Sequence, residues 1–536
     1  MPPRVSVVIA TYNTGDELDP TIESIRGQLP PGQLELVLVD DGSTDGTGER
    51  VDALAAQEDW ITGRRIPNSG WPSRPRNVGI DAAAGDYVLV MDHDDRLYAG
   101  GLAAMLAAAD AHDADVVLGK EVRTGGRTQG LDTFRHNAGR ADLVADDVLL
   151  LHTPHRLWRR AFLDAHAIRF DESIRRLEDH KIIAEGFEHE PVVSVVADRP
   201  CYRWIIHGDN NSLRPPDPTD YYGALRRVLD SVDRWPHDEA TKDYARTMWL
   251  RTTVLDRFGR GGALSWPADY REELFRHARA ITAERLPERL DPGLPALHRV
   301  RAALLRADDL PALLDYVRVD GTVTTRPELV AARSAGNTLT LTVRTQLVSE
   351  AGPVLFVREG SRVRQRPTGP LDPAVADRVL DVTDDLAAGR IDVMLTERST
   401  NAEWFLPTTA TSDLVTEGDS LGLTITASAD LEASTALLGH PLTPGVWDVK
   451  LRTAVLGYDS RVAVRVGDGD VPAAWTCDGV RVTPYRTQGG RLALRVTAVK
   501  AQPASTTTAT TTTTAGAVRR VACGVRRRLQ RLRSSG

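Results

Sequence analysis

The sequence contains few of the features that mark secreted, membrane-spanning and disulfide-rich proteins. Its 536 residues include three cysteines, Cys201, Cys477 and Cys523, which lie far apart and form no CxxC pair. This spacing excludes a disulfide framework and a cysteine zinc site, and it is typical of a reducing cytosol. No run of about 18 apolar residues occurs, and the opening "MPPRVSVVIATYN" lacks the basic and apolar regions of a secretion signal. We therefore expect a cytoplasmic protein without a transmembrane helix.

The net charge is negative but unevenly distributed. The chain carries a net charge of −8, although residues 517–536 contain seven arginines and no acid. The residues before 517 therefore carry −15, which argues against a nucleic-acid partner. The length alone predicts about two to four domains.

Residues 1–120 alternate between short apolar runs and helical patterns. The runs "VSVVIA", "LELVLVD", "WITGRRI" and "DYVLVMD" are rich in β-branched residues. Such runs are typical of strands buried on both faces, and their alternation with helices predicts a mostly parallel α/β sheet. Ligands bind beyond the carboxyl ends of strands in sheets of this kind. Because Tyr12, Asp40, Asp41 and the acids from Asp92 to Asp95 follow such strands, we expect them to converge on one cleft.

The rest of the sequence indicates further domains. Residues 221–318 have helical patterns, and strand patterns separated by turns follow up to residue 500. Their alternation of polar and apolar positions predicts antiparallel β-sandwiches. We therefore expect a Rossmann-like α/β domain at 1–220, a helical connector at 221–318, sandwich modules at 319–410 and 411–500, a Thr-rich linker at 501–516 and a basic tail at 517–536.

The basic tail combines arginines with apolar residues at helical spacing, namely Val518, Val521, Val525, Leu529 and Leu532. A basic amphipathic helix of this kind lies on anionic membrane surfaces, which predicts contact between the tail and a membrane. A disordered basic tail is the alternative, because a glycine at position 524 weakens the helix.

The acids of "VMDHDDRLY" at residues 90–98 have two interpretations. Carboxylates placed this close together repel each other unless a cation joins them, and a divalent ion shared with a nucleoside diphosphate is one solution. An EF-hand is excluded, because Leu97 occupies the position that needs glycine. The alternative is a solvated loop whose acids cap a helix at 99–111.

Five segments, taken together, resemble the family 2 glycosyltransferases of GT-A fold. They are "VSVVIATYN", "LELVLVDDGSTDGT", "PNSGWPSRPRNVGI", "AAAGDYVLVMDHDD" and "RLEDHKI", in this order within roughly residues 3–215. "NSGWPSRPRNVG", with the helical connector and the β-rich C-terminal third, is most similar to bacterial wall teichoic acid (polyribitol-phosphate) glycosyltransferases. That resemblance implies immunoglobulin-like modules, a homotrimer and a location at the inner face of the bacterial membrane.

The resemblance implies a role for several donor-side residues. Ala10 and Tyr12 would line the base pocket, with Tyr12 stacked on uracil. Asp41 would accept the uracil N3–H, which suits a carboxylate because it accepts and cannot donate. Asn68 and Arg76 would contact the base and the diphosphate, and a guanidinium fork suits phosphate.

The same resemblance implies a metal centre beside the donor. Asp92 would hold the ribose or the transferred sugar, and Asp94 would bind Mn²⁺ or Mg²⁺. Asp95 would be a further sugar contact. His207, in "CYRWIIHGDNNS", would be a second metal ligand, because imidazole binds such ions beside carboxylates.

The segment "RRLEDHKI" resembles the acceptor-site motif of the family. Asp179 would be the general base, with Glu178 and Arg203 beside the acceptor or its phosphates. A hydroxyl that attacks an anomeric carbon must lose its proton, and a carboxylate within hydrogen-bond reach takes it. Activity is then expected to fall below about pH 5 on ordinary carboxylate values.

These residues predict a metal-dependent inverting transferase that moves a sugar from a UDP-sugar to a polymeric or lipid-linked acceptor, such as a teichoic-acid-like poly(alditol phosphate). We further expect arginines near the acceptor to meet its phosphates, namely Arg156, Arg159, Arg160, Arg175 and Arg176. A capsular or exopolysaccharide transferase with another sugar and a non-catalytic polymer-binding scaffold are the alternatives. A nucleotide-sugar oxidoreductase is disfavoured, because no GxGxxG follows the first strand.

Overall fold

The computed structural model describes residues 2–124, 130–206, 214–259, 261–467 and 471–499. Within these ranges no helix is long and apolar enough to span a bilayer. The Thr-rich linker, the basic tail and His207 lie outside the described residues. Membrane contact by the tail therefore stays a prediction.

The N-terminal domain is built on an eight-stranded sheet of mixed direction with the order β3-β2-β1-β4-β7-β6-β8-β5. Neighbours among β1 to β4 are parallel, β7 runs antiparallel between β4 and β6, and β6 and β8 are parallel. The prediction of a mostly parallel α/β sheet is confirmed. The strands are β1 (Val5–Thr11), β2 (Leu34–Asp40), β3 (Ile61–Arg65), β4 (Tyr87–Asp92), β5 (Arg96–Leu97), β6 (Val116–Arg123), β7 (Arg156–Arg159) and β8 (Val193–Trp204).

Helices cover both faces of this sheet, because its central strands are apolar on both sides. In β1, Val8 faces one core whereas Val7 and Ile9 face another, as the two-residue period of a strand requires. The helices are α1 (Leu18–Ile25), α2 (Thr47–Gln57), α3 (Ser73–Ala82), α4 (Gly101–His112), α5 (Arg160–Ala165) and α6 (Glu178–Gly186).

The helical connector follows as α7 (Pro218–Arg234), α8 (Glu239–Trp249), α9 (Ala268–Arg285), α10 (Ala296–Arg306) and α11 (Leu310–Asp320). Asp217 caps α7 by accepting the backbone N–H of Asp220 at 3.0 Å, and Pro218 occupies the first turn. The connector shares a core with the N-terminal domain, and the Trp235 indole N–H donates to the carbonyl of Ala184 in α6 at 2.7 Å. The connector therefore supports the helix that begins with Glu178 and Asp179.

The C-terminal part consists of two antiparallel sheets, which confirms the all-β prediction. Two short helices, α12 (Pro373–Val379) and α13 (Thr383–Ala387), interrupt the strands. The first sheet contains β9 (Thr324–Thr325), β10 (Glu328–Ala335), β11 (Thr338–Ser349), β12 (Gly352–Pro353), β13 (Leu355–Glu359), β14 (Arg362–Gln365), β17 (Thr408–Glu417) and β18 (Ser420–Glu432). The second contains β15 (Arg390–Glu397), β16 (Glu403–Phe405), β19 (Gly445–Val455), β20 (Tyr458–Ala463), β21 (Trp475–Cys477), β22 (Val480–Arg486) and β23 (Leu492–Ala498).

Strand pairing in this part does not follow the boundary expected at residue 410. Strand β15, on the N-terminal side of that position, pairs with β19 on the C-terminal side. Side chains of both sheets also share one apolar core, including Leu341 of β11 and Val449 of β19. The strands therefore build one two-sheet body rather than two consecutive modules.

The N-terminal domain and the β-rich part are joined by a ring of alternating charges. Arg135 donates to both carboxylate oxygens of Asp392 at 2.7 and 2.6 Å, and Arg452 donates to both oxygens of Asp132 at 2.6 Å. The ring closes through Arg135–Asp132 at 3.1 Å and Arg452–Asp392 at 3.5 Å. Two forked pairs give directional as well as electrostatic stabilisation of this junction.

Replacing Arg452 by methionine is expected to destabilise the protein by about 3 kcal/mol, because the largely buried Asp132 and Asp392 lose one of the two cations that they share. The measurement is chemical unfolding followed by tryptophan fluorescence. Arg398→Gln is the control, since Arg398 pairs with Asp448 at the surface and should cost at most about 1 kcal/mol. Equal losses in both variants would contradict a structural role for the ring.

Candidate active site

The loops after β1 and β2 form one side of a cleft at the carboxyl edge of the sheet. Tyr12 is 48% exposed there. Asp41 is buried and accepts the backbone N–H and the hydroxyl of Ser69, both at 2.9 Å. The Asn68 amide donates to the backbone carbonyl of Asp41 at 2.8 Å. Asp41 and Asn68 are therefore held together, and the Tyr12 ring is open to a ligand.

Asp40, directly before this pair, has a structural role. Its buried carboxylate accepts the backbone N–H of Ser43 at 3.3 Å and lies 3.7 Å from Arg65. Gly42 follows with φ of 71°, and a Cβ there would lie 2.6 Å from the backbone nitrogen of Asn68. The close approach of the two loops therefore requires glycine.

Arg76 is the centre of the site. Its buried guanidinium donates to Asp92 at 2.8 Å and to Asp179 at 3.1 Å, and it lies 3.6 Å from Glu178. Burial alone would lower the pKa of Arg76, but these carboxylates raise it. The guanidinium also packs 5.1 Å from the centre of the Phe170 ring. One cation on α3 thereby joins the end of β4 to the start of α6.

The two acids bridged by Arg76 have opposite electrostatic environments. Burial, followed by repulsion from Glu178, raises the pKa of Asp179 to about 7. Burial also acts to raise the pKa of Asp92, but Arg76 and His155 lower it. A carboxyl with a pKa near neutrality suits proton transfer, and an ionised neighbour suits binding of a cation or a hydroxyl.

Asp95 lies behind Asp92 and is fully buried. Its carboxylate accepts the Tyr202 hydroxyl at 2.6 Å and the backbone N–H of Ile205 at 2.8 Å. Burial raises the pKa of Asp95. The helix α4 begins after Gly100 without a side-chain cap, so the interpretation of these acids as caps is wrong.

His155 completes this cluster. Its Nδ1 lies 3.1 Å from Glu121, its Nε2 lies 3.6 Å from both Asp92 and Asp95, and its ring stacks on Tyr202 at 4.0 Å. Burial acts to lower the pKa of His155, but the surrounding carboxylates raise it to about 10. The protonated imidazole therefore balances the charge of Asp92 and Glu121, and it helps to lower the pKa of both carboxyls.

The same three side chains fit a divalent ion. One ligand atom each from Asp92, Asp95 and His155 lies within 4.8 Å of the others, and the buried His155 Nε2 has no hydrogen-bond partner within the described ranges. Carboxylate oxygens are ligands for Mn²⁺ and Mg²⁺, and an imidazole nitrogen beside them suits a transition metal such as Mn²⁺ better than Mg²⁺. Binding would release the imidazole proton.

The structure brings together most of the site residues predicted from the sequence. Ala10 lies at the end of β1 as the register partner of Asp92, and Asp94 is half-buried in the turn that follows β4. Arg203 lies on β8, where its backbone is the register partner of Arg96 in β5. His207 lies outside the described residues, so its role stays a prediction.

The predicted acceptor role is wrong for Arg156, Arg159 and Arg160. Arg156 is fully buried and donates to the backbone carbonyl of Leu151. Because β7 is antiparallel to β4, Arg159 is the register partner of Tyr87 at the opposite edge of the sheet, and Arg160 donates there to the backbone carbonyl of Gly85 at 2.7 Å. Of the other two arginines, Arg175 is exposed and Arg176 lies 5.5 Å from the Trp71 ring.

Sequence reasoning missed His155, Glu121 and Tyr202. Each lies on a strand, or directly before one, that follows the parallel part of the sheet. An antiparallel strand begins at the edge where its parallel neighbours end, so the position of His155 immediately before β7 was the available signal. To place His155 in the site from this signal, one must know that β7 runs antiparallel to β4. Local sequence patterns do not give the direction of a strand.

Family comparisons match both N-terminal parts of the chain. Residues 6–169 match the model of glycosyl transferase family 2, and residues 218–317 match the model of the glycosyl transferase TarS linker domain. The chain therefore contains a family 2 glycosyl transferase domain. The resemblance that the sequence motifs indicated is confirmed, including the helical part that follows.

Two curated relatives are similar to more than half of this chain. The chain is 26% identical over 319 residues to the poly(ribitol-phosphate) beta-glucosyltransferase of Bacillus spizizenii, covering 59% of this chain and 50% of that protein. It is 27% identical over 307 residues to the poly(ribitol-phosphate) beta-N-acetylglucosaminyltransferase TarS of Staphylococcus aureus, covering 56% of this chain and 53% of that one. The chain thus spans about half the length of these relatives.

Solved structures share the fold. The crystal structure of S. aureus TarS has 20% identity and a TM-score of 0.52, covering 93% of this chain and 86% of that chain. A TarS fragment in complex with UDP-GlcNAc has 23% identity and a TM-score of 0.53, covering 63% of this chain and 96% of that chain.

Replacing Arg76 by methionine is expected to destabilise the protein by about 3 kcal/mol at pH 8, because the buried Glu178 and the half-buried Asp92 and Asp179 lose the cation that they share. Asp179 has a raised pKa, so its ionisation opposes folding and the loss should shrink as the pH falls towards 5. Urea unfolding at both pH values measures this difference. Arg64→Met, at an exposed position, is the control and should change stability by less than about 0.5 kcal/mol. A pH-independent loss would contradict the bridging role of Arg76.

Proposed function

We propose that this protein transfers a sugar from a UDP-sugar to a hydroxyl of a poly(ribitol phosphate)-type polymer. The named activities of the relatives and the UDP-GlcNAc complex of the TarS fragment support this substrate class. The linker-domain match supports it over a capsular or exopolysaccharide transferase. The cleft that holds Tyr12, Asp41, Asp92 and Asp179 supports an enzyme over a non-catalytic scaffold.

The donor nucleotide would bind between the loops after β1 and β2. The exposed Tyr12 ring provides a stacking surface for uracil. Asp41 is oriented by Ser69 and retains lone pairs that accept the uracil N3–H. The nearby Asn68 amide is held on the carbonyl of Asp41 at 2.8 Å, so the base pocket is preorganised.

The observation that carries the proposal is the Arg76 bridge between Asp92 and Asp179. The bridge holds Asp179, whose pKa is raised to about 7, beside Asp92 at the carboxyl edge of the sheet. Asp179 would take the proton of the acceptor hydroxyl as that oxygen attacks the anomeric carbon. A single base, with Glu178 buried beside it, suits one displacement with inversion.

Asp92, Asp95 and His155 would hold a divalent ion, with Asp94 in the adjoining turn and His207 as the further candidate ligands. When bound, Mn²⁺ or Mg²⁺ supplies positive charge that stabilises a departing diphosphate. Assembly into a homo-oligomer, Arg203 at the acceptor and membrane contact through the tail are further parts of the proposal that rest on the sequence.

Asp179→Asn is expected to lower kcat by about 10²–10⁴-fold while UDP-sugar binding is retained, because only proton transfer is lost. UDP release from UDP-GlcNAc and UDP-glucose in the presence of acceptor measures the rate, and calorimetry measures binding. Asp164→Asn is the control, since Asp164 pairs with Arg160 and Arg169 on the outer surface. Unchanged turnover in Asp179→Asn would refute the base assignment.

The pH dependence follows from the raised pKa of Asp179. The base must be ionised, so kcat/KM should fall as the pH drops through about 7, rather than below about 5 as the sequence alone suggested. Removing the repulsion with Glu178→Gln should move the midpoint to lower pH. A pH–rate profile of wild type and of Glu178→Gln tests this. An unchanged midpoint would mean that a group other than Asp179 controls the loss of activity at low pH.

Metal removal should abolish transfer, and Mn²⁺ or Mg²⁺ should restore it. His155→Gln and His207→Gln distinguish the two candidate imidazole ligands: the variant that lacks a true ligand needs a higher metal concentration for half-maximal activity. His440→Gln, at an exposed site in the β-rich part, should behave as wild type. Full activity in chelator would refute metal dependence.

A further inference from the structure

A cavity of about 200 Å³, lined by both apolar and charged side chains, lies between the transferase domain and the β-rich part. Strand β6 forms one wall, and β15, β16, β19 and β20 contribute to the other. Four of its lining side chains are basic and two are acidic. They are Lys120, Arg123, Lys450, Arg461, Glu121 and Glu403.

Both acids of the cavity are already shared between cations. Glu403 accepts from Lys450 at 3.1 Å and also pairs with Arg461. Glu121 pairs with Arg123, and its other oxygen lies 3.1 Å from His155. The lining therefore has two more basic than acidic side chains, which favours an anion over a cation.

Lys120 is the group whose charge is least compensated. It is buried, its ammonium donates to the backbone carbonyl of Ala197 at 3.2 Å, and it lies 3.4 Å from the centre of the Trp404 ring. No carboxylate forms an ion pair with it in the part of the chain that the structure describes. An ammonium has three donors, and a buried charge without a counter-ion is costly. Burial accordingly lowers the pKa of Lys120 to about 7.

The local backbone explains how a lysine reaches this position. The register between β6 and β8 shifts on both sides of Lys120, so that Gly119 pairs with Val196 whereas Lys120 pairs with Pro200. Ala197 is one of the β8 residues that have no register partner in β6. The Lys120 ammonium donates to its backbone carbonyl. That single bond accounts for one ammonium donor, and Glu403 and Asp198 act on the charge only from beyond ion-pair distance.

We propose that this cavity binds a phosphate-class oxyanion through Lys120, Lys450 and Arg461. Its volume corresponds to several water molecules at about 30 Å³ each, which is enough for one phosphate group. Lysine ammonium groups and an arginine fork are the side chains that hold phosphate in proteins. The anion is either a phosphodiester unit of the polymeric acceptor, which rests on the proposed function, or free phosphate.

The cavity adjoins the candidate active site through one side chain. Glu121 lines the cavity, and the His155 that it contacts lies 3.6 Å from Asp92 through its other nitrogen. A bound anion would therefore lie behind the donor-side acids and not among them. This separates the proposed site from the donor diphosphate.

Calorimetric titration of the full-length protein with inorganic phosphate, at constant ionic strength and without donor or acceptor, tests the proposal. Wild type should bind phosphate in a saturable manner. Lys120→Met should fold at least as stably, because an apolar chain of similar shape replaces a buried charge, and it should bind phosphate about 10- to 100-fold more weakly. Lys450→Met, which leaves Arg461 on Glu403, should weaken binding in the same direction.

Arg318→Gln is the control for net charge, because Arg318 is exposed on α11 and pairs with Asp315; it should bind phosphate as wild type does. Absence of saturable binding to wild type, unchanged affinity in both lysine variants, or an equal loss in Arg318→Gln would each overturn the proposal.

The source of the anion is resolved by kinetics with two acceptors. If the site holds a phosphodiester of the acceptor, Lys120→Met should raise KM for a polymeric phosphate acceptor about tenfold or more, with kcat retained and KM for a phosphate-free alditol unchanged. If phosphate affinity falls but neither KM changes, free phosphate is the ligand. Because phosphate titration needs no turnover, a failure of the proposed sugar transfer would leave its result intact.

Discussion

Three carboxylates from two distant segments share one buried guanidinium, and the arrangement of the cleft depends on that sharing. Asp92 ends the central strand β4, whereas Glu178 and Asp179 begin a helix that the connector supports. Without Arg76, burial and mutual repulsion would oppose bringing these segments together. With it, one acid stays ionised and another has a pKa near neutrality. The same contact thus joins the two segments and accompanies opposite pKa shifts in the two acids.

A second buried cation, the protonated His155, is likewise surrounded by carboxylates. His155 lies among Asp92, Asp95 and Glu121 in the way that Arg76 lies among the outer acids. The two cations differ in one respect, because an imidazole can lose its proton to become a metal ligand and a guanidinium cannot. Arg76 is therefore a permanent element of the site, and His155 is one that metal binding can convert.

The sequence predicts the part of the fold that depends on local pattern. The β-branched runs identify β1, β2 and β4, and the ends of these strands place Tyr12, Asp41 and Asp92 at one edge. Asp179 lies beyond the reach of that argument, and only its motif's resemblance to a family brings it into the site. His155 and Glu121 depend on the direction of β7 and on the register shift in β6. The pairing of β15 with β19 joins residues on opposite sides of the expected boundary, from Arg390 with Ala454 to Glu397 with Trp447. Local patterns do not report such contacts, so the boundary at 410 did not describe them.

The ring of alternating charges determines which β-rich domain fits on the N-terminal domain, and in which orientation. Its members are Asp132, Arg452, Asp392 and Arg135. Each side of the junction contributes one acid and one base, and the charges alternate around the ring. A β-rich domain docked in a rotated orientation would set like charges against each other, which opposes that orientation. An exchanged C-terminal domain would need the same acid and base in the same order to seat correctly. The order of charges in the ring therefore favours one orientation of the β-rich part on the N-terminal domain. That orientation also fixes how the two walls of the neighbouring cavity face each other.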